Sequence, residues 1–249
     1  MDITNNQLHQ LRLSGIMKTL PIRLQEGTQE KWSYTEFLNG LLTDEIRHRD
    51  QKSTEGRLRK AKFRTQADFD HFDFTLRRSL TKTQLKELRD LNFMKSKQNL
   101  LLLGPTGVGK TFVATAIGHQ ACVEGYSVSF EGMNHLIETI KLHRMSGTFL
   151  RLRKRLVDVD LLIIDDLGIK PLDGEHVQDL YDLLEERYLK RSTIITSQLP
   201  VTNWKEVITD AVVFEAIVDR VAHGYKLEIT GESYRKKRGV DKVKGASGN

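Results

Sequence analysis

The 249-residue chain contains a single cysteine, Cys122. One thiol forms no internal disulfide and no cysteine-based metal site, and such cysteine usage fits a reducing, cytoplasmic compartment. The eight histidines show no H-E-x-x-H or similar metal spacing. No uninterrupted apolar run approaches the roughly 20 residues of a membrane span, so no membrane partner is expected. The N-terminus, MDITNNQLHQLRLSG, lacks a cationic start followed by an apolar block, so no secretory signal is expected. No internal repeat is present.

What the chain does have is enough apolar sequence for a core, at 39%, and a well-solvated surface, with 29% charged residues. Its net charge of +6 is modest as a total. Placement of that charge therefore matters more than its sum.

Residues 1–65 read as a small helical domain suited to contacting DNA or a partner. Leu8, Leu11, Ile16 and Leu20 fall near helical spacing, as do Phe37, Leu38, Leu41, Leu42 and Ile46. Ser33 followed by Glu36 is a capping-box signature. Residues 66–98 read as a linker with aromatics, ADFDHFDF, and a helix leading into the core. Residues 99–238 form that core, and residues 239–249 a flexible tail. Strand candidates lie at 100–103, 126–130, 161–164, 193–196 and 225–229. Helix candidates lie between them at 111–124, 134–142, 176–189 and 213–222, with Gly125 and Gly224 as C-terminal caps. Apolar strands alternating with helices predict an α/β fold, a mostly parallel sheet between helix layers. The last strand alternates apolar and charged residues, which marks a sheet edge.

The segment Gly104-Pro105-Thr106-Gly107-Val108-Gly109-Lys110-Thr111 matches G-x-x-x-x-G-K-[ST], after an apolar strand and before an amphipathic helix. Its glycines let backbone N–H groups turn inward on a polyphosphate, and the helix adds its positive dipole end. Lys110 reaches the terminal phosphates, and the Thr111 hydroxyl ligates Mg²⁺. The site then needs an acidic residue at the tip of another strand. LLIIDDLG, residues 161–168, supplies two: Asp165 as the Mg²⁺ contact and Asp166 to orient or deprotonate the attacking water. Two adjacent carboxylates stay ionised together only with a cation beside them. ATP and Mg²⁺ are the expected cofactors. The strand STIIT ends at Ser197 and Gln198, either of which could sense the terminal phosphate. Phe72 and Phe74 are candidates for the adenine contact.

Together, GPTGVGKT, LLIIDDLG, ITSQ and the VDR of AIVDRVAHG resemble the AAA+ ATPases. LRLSGIMKTL, EFLNGLLTDEI, TSQLPVTNW and GESYRKKRG narrow the resemblance to the DnaC and IstB clade, with IstB-type transposition helpers the nearest. The likeness spans nearly the whole chain. It implies that Gly104 to Thr111 are the Walker A loop and Asp165 the Walker B ligand. It also implies that Asp166 is the catalytic carboxylate, that Gln198 or Ser197 is sensor I, and that Arg220 is an arginine finger. A finger acting on the neighbour's ATP completes the active site only between subunits, so a homo-oligomer is implied. Only 29 residues follow Arg220, too few for the helical lid of most AAA+ proteins. Arg235 is a weak substitute for the arginine of that lid.

Three basic clusters suggest the task. Residues 47–64 carry eight Lys/Arg against Asp50 and Glu55, and read equally well as a solvated helix or a phosphate contact. Residues 141–155 carry six Lys/Arg and no acid, where AAA+ proteins place channel-facing loops. RKKR closes the set. Arg57, Arg59, Lys60, Arg151, Arg153, Lys154, Arg155, Arg235 and Lys236 are the candidate DNA contacts. Aromatics, at 7%, are too sparse among these clusters for base stacking, which favours duplex over single-stranded DNA. The resemblance implies an ATP-dependent factor that assembles on double-stranded DNA, largely independent of sequence, and stimulates a transposase. The alternatives are a loader of a replicative helicase, or a nucleotide-gated scaffold that barely hydrolyses ATP.

Overall fold

The computed structural model describes residues 2–72, 79–172, 174–222 and 224–233. The chain divides into two compact units, Met1–Gly56 and Arg57–Asn249.

The first unit consists of α1 (Asp2–Gln10), α2 (Ser14–Gln29) and the larger part of α3 (Tyr34–Ala61). Arg12, at φ 56°, breaks the run between α1 and α2. Gly15 lets the start of α2 press on α3, because a Cβ there would lie 2.7 Å from that of His48. The buried Glu45 carboxylate accepts from the N–H groups of Gly15 and Ile16, at 2.7 and 3.1 Å, so α3 caps α2. The expected capping box is present: Ser33 N–H donates to the Glu36 carboxylate at 2.7 Å, and Ser33 Oγ accepts from Glu36 N–H at 3.3 Å. The Ser33 N–H holds the Glu36 carboxyl below its ordinary range.

The boundary at Gly56 falls earlier than the expected end at residue 65. Ala61 is fully buried in the second unit's core, with Leu58 and Phe63 packed against it. Residues 79–98 include the expected helix leading into the core, and they bury side chains in that core. Leu80, Leu85, Leu91, Phe93 and Met94, from α4 (Lys82–Arg89), α5 (Asn92–Lys95) and their flanks, bury in the same cluster. The tail at 239–249 lies outside the described residues.

The second unit is a five-stranded parallel sheet in the order β2-β3-β4-β1-β5. The strands are β1 (Leu100–Leu103), β2 (Val128–Gly132), β3 (Leu161–Leu167), β4 (Ser192–Ser197) and β5 (Tyr225–Glu228). The crossover helices are α6 (Lys110–Val123), α7 (Met133–Met145), α8 (Phe149–Asp158), α9 (Gly174–Arg187) and α10 (Ala211–Ala222). β5 is an edge strand, as its alternation predicts. Successive strand residues face opposite layers. Leu161 and Ile163 enter the core shared with α6, while Leu162 and Ile164 enter the core shared with α7 to α10.

Residues 149–158 are a helix rather than a channel loop. Leu152 and Leu156 bury its inner face, and Arg187 fixes its end. The buried Arg187 guanidinium donates to the carbonyls of Leu156, Val157 and Val159 at 2.7 to 2.9 Å, and to Thr193 Oγ1 at 3.0 Å. Burial, helped by the charge of Arg191 and opposed by that of Asp160, pushes its pKa down to about 9. No described helix is long and apolar enough to cross a membrane.

Candidate nucleotide site

β1 ends against the neighbouring strands, so the chain must turn at once to enter α6. Gly104, at φ 138°, and Gly109, at φ 105°, make that turn in a region that side chains disfavour. A Cβ on Gly104 would lie 2.0 Å from the Ile229 carbonyl oxygen, so the backbone just beyond β5 closes one side of the loop. Val108 is fully buried and pins the loop, while Pro105 and Thr106 are exposed. The Lys110 ammonium lies beneath the loop, donating to the carbonyls of Gly104 at 2.7 Å and Pro105 at 2.9 Å.

Asp165 shares a sheet face with Leu161 and Ile163, which turns it towards the start of α6. Thr111 Oγ1 donates to its carboxylate at 3.0 and 3.2 Å. Thr196 Oγ1 donates to Oδ1 at 2.6 Å and accepts from the Asp166 N–H at 2.9 Å. Asp165 is 1% exposed, and that burial pushes its carboxyl up, opposed chiefly by the Thr196 hydroxyl. A buried carboxylate beside a hydroxyl is a hard-oxygen pair that fits Mg²⁺, and phosphates and water would supply its other ligands. The described residues contain no cluster of three His, Cys, Asp or Glu able to hold a metal by themselves.

Asp166 follows at a break in the β3–β4 register and adopts φ 62°. Asp tolerates that left-handed turn better than most residues. The break turns its half-buried carboxylate away from simple strand alternation.

The expected sensing residues are placed differently. Ser197 belongs to the opposite face: its hydroxyl donates to the Leu167 carbonyl at 2.7 Å and accepts from Trp204 Nε1 at 3.2 Å. It is a buried structural bond. Gln198 lies beyond β4 and is exposed. Thr196, one residue earlier, carries the polar contact to both aspartates. Strand alternation held the signal, because Thr196 shares a face with Ile194 and not with Ser197.

Arg220, near the end of α10, pairs with Glu185 of α9 and with Asp219, and its guanidinium lies 5.0 Å from the Tyr188 ring centroid. The hydrogen bond to Glu185 raises its pKa further. None of these partners belongs to the phosphate loop. Phe72 is buried and packs on Phe112 at a centroid distance of 5.9 Å, so it is core rather than an open adenine platform. Phe74 lies outside the described residues.

The basic candidates separate by environment. Arg57 Nε donates to the Cys122 carbonyl at 2.7 Å. Arg153 pairs with Glu186, and with Asp182 at 3.4 Å; Arg155 lies 3.5 Å from the buried Glu131. Arg57 and Arg153 are tied to the fold, whereas Arg155 stays exposed beside Glu131. Arg59, Lys60, Arg151 and Lys154 are exposed. Arg235 and Lys236 lie outside the described residues.

Parallel sheet, phosphate loop and acidic strand tip define a P-loop ATPase fold of the AAA+ type. Solved structures agree. AMPPCP-bound DnaA from Aquifex aeolicus superposes with a TM-score of 0.57 at 21% identity, over 74% of this chain and 56% of that one. The DnaC helicase loader superposes with a TM-score of 0.53 at 20% identity, over 66% of this chain and 97% of that one. These likenesses concern the fold. The chain belongs to the family of IstB-like ATP binding proteins, whose model matches residues 6–241. It is 37% identical to the putative insertion sequence ATP-binding protein y4pL of Sinorhizobium fredii, over 94% of this chain and 96% of that protein. It is 33% identical to the insertion sequence IS21 putative ATP-binding protein of Pseudomonas aeruginosa, over 92% and 87%.

Proposed function

We propose that this protein is a Mg²⁺-dependent ATPase that assembles as a homo-oligomer on duplex DNA and stimulates the transposase of an insertion sequence. The observation that carries the ATPase reading is the Thr111–Asp165–Thr196 chain of hydroxyls and carboxylate beneath the phosphate loop. Bound Mg²⁺ would be held by Thr111 and, through its water shell, by Asp165, and would neutralise charge on the transferred phosphoryl group. Lys110 leaves its loop carbonyls for the phosphates. Thr196 fixes the Asp165 carboxylate and the Asp166 backbone. Asp166 orients the attacking water. Arg220, unengaged with its own loop, serves the nucleotide of a neighbouring subunit, and Glu185 and Tyr188 hold it extended until then.

The transposition role rests on the family and on relatives named for insertion sequences. Duplex DNA is supported by the exposed Arg59, Lys60, Arg151 and Lys154, repeated in every subunit of an oligomer. The helicase-loader alternative has only the fold likeness to DnaC behind it.

Lys110→Ala is the test. ATP-dependent assembly on duplex DNA, followed by light scattering, should disappear along with hydrolysis. Normal assembly by the variant would defeat the site assignment.

A further inference from the structure

Two core glycines seat two consecutive residues of the chain that leaves α3. A Cβ on Gly118 would lie 2.6 Å from Cε1 of Phe63, whose ring packs edge-on to Phe130 and beside His119. A Cβ on Gly132 would lie 2.1 Å from Nη2 of Arg64. The Arg64 guanidinium thus fills the volume that a side chain at position 132 would take.

That volume adjoins the nucleotide site. On β2, Val128 and Phe130 face the α6 layer, and alternation puts position 132 on the same face. On β3, Leu161, Ile163 and Asp165 share it. The ladder pairs Gly132 with Asp165, and adjacent strands lie about 4.8 Å apart. The Arg64 guanidinium therefore flanks the Asp165 carboxylate, and its charge acts on that group. Phe63 anchors the segment, and Arg64 itself is exposed and able to reorient. The phosphate-loop motif does not include it, and in the sequence it is one cation of a long basic run.

We propose that Arg64 is a phosphate ligand acting within its own subunit, donating to the terminal phosphate of a bound nucleoside triphosphate. The proposal rests on the ATP-site reading above. Thr111 and Asp165 are the residues that would hold Mg²⁺ beside the terminal phosphates. A guanidinium beside Asp165 is then nearest the γ-phosphate, the group a diphosphate lacks. Arginine's planar fork suits phosphate oxygens better than a lysine point charge does.

The test measures binding, by fluorescence titration of full-length protein with a non-hydrolysable ATP analogue and with ADP, in Mg²⁺. Arg64→Ala should weaken the triphosphate roughly 10- to 150-fold, the range for a charged hydrogen bond, and leave ADP affinity unchanged. Arg64→Lys should recover part of the loss. Gly132→Ala, which displaces the guanidinium without removing it, should reproduce the same selective loss. Thermal melting identifies any variant that fails to fold, and the remaining two variants then decide. Equal weakening of both nucleotides, or no change in either, overturns the role of Arg64. Wild-type protein that binds neither nucleotide overturns the ATP-site reading and the proposal together.

Discussion

Replacing Thr196 with valine removes one hydroxyl and leaves the side-chain volume almost unchanged, so no cavity confuses the result. Two bonds disappear: the 2.6 Å donation to Asp165 and the 2.9 Å acceptance from the Asp166 N–H. The first is a hydrogen bond to a charged group, about 1.5–3 kcal/mol. It fixes the carboxylate that the metal site depends on, so its loss falls on the chemical step. At about 1.4 kcal/mol per tenfold, kcat should drop roughly 10- to 150-fold. The second bond satisfies a backbone N–H that is only half-buried. Water can replace it in part, so the cost sits near the lower end of about 1–3 kcal/mol. For a unit of this size, 1 kcal/mol lowers Tm by about 2–4 °C. ADP affinity should hold, because Thr196 touches no residue of the phosphate loop. Thr196→Ser keeps the hydroxyl and should keep most activity. Steady-state ATP hydrolysis with duplex DNA, paired with ADP titration, reads out all of this. A Thr196→Val enzyme with wild-type kcat would refute the assignment, and so would equal losses in kcat and ADP affinity.

Exposed and paired cations should separate in DNA binding. Each of Arg151→Gln and Lys154→Gln should reduce the slope of log K against log salt by about 0.9. Arg153→Gln should instead lower Tm, because it strips Glu186 and Asp182 of their partner. Equal slopes for all three would reject the division. Subunits carrying Arg220→Ala mixed with subunits carrying Asp166→Asn should regain ATPase activity that neither has alone; failure to recover would count against an active site shared between subunits. In the first unit, the hydrogen bond from Arg23 lowers the Asp44 carboxyl from its usual 3.8 to about 2. A lowered carboxyl stabilises the fold above the unfolded value, and that contribution is lost as pH falls from about 4 to 2. Arg23→Ala should flatten this part of the melting-temperature profile relative to wild type. Parallel profiles would show that the pair is not the cause.

Much of the site was legible in the sequence because its chemistry is local. Gly104 to Thr111 is a single turn whose glycines, lysine and threonine have fixed jobs wherever a strand meets a helix in this way. Asp165 was legible because an apolar run must end where the strand meets solvent. Thr196 was not legible in this way, because a strand end looks polar from its composition, whereas the pleat decides which side chain faces the aspartates. The cluster at 141–155 misled for a related reason. Its charges are conspicuous, but the Leu152 and Leu156 spacing that makes it a packed helix is faint among them. The acids that pair with Arg153 come from α9.

The phosphate loop, the acidic strand tip, the alternation of strands and helices and the family can all be read from short contiguous stretches of the chain. Which cations are spent inside the fold, which threonine reaches Asp165, and the placing of Arg64 in the seat left by Gly132 come from folding alone. Those facts depend on contacts between residues far apart in the chain. Strand register and the absence of a single Cβ set them, and neither leaves a local mark.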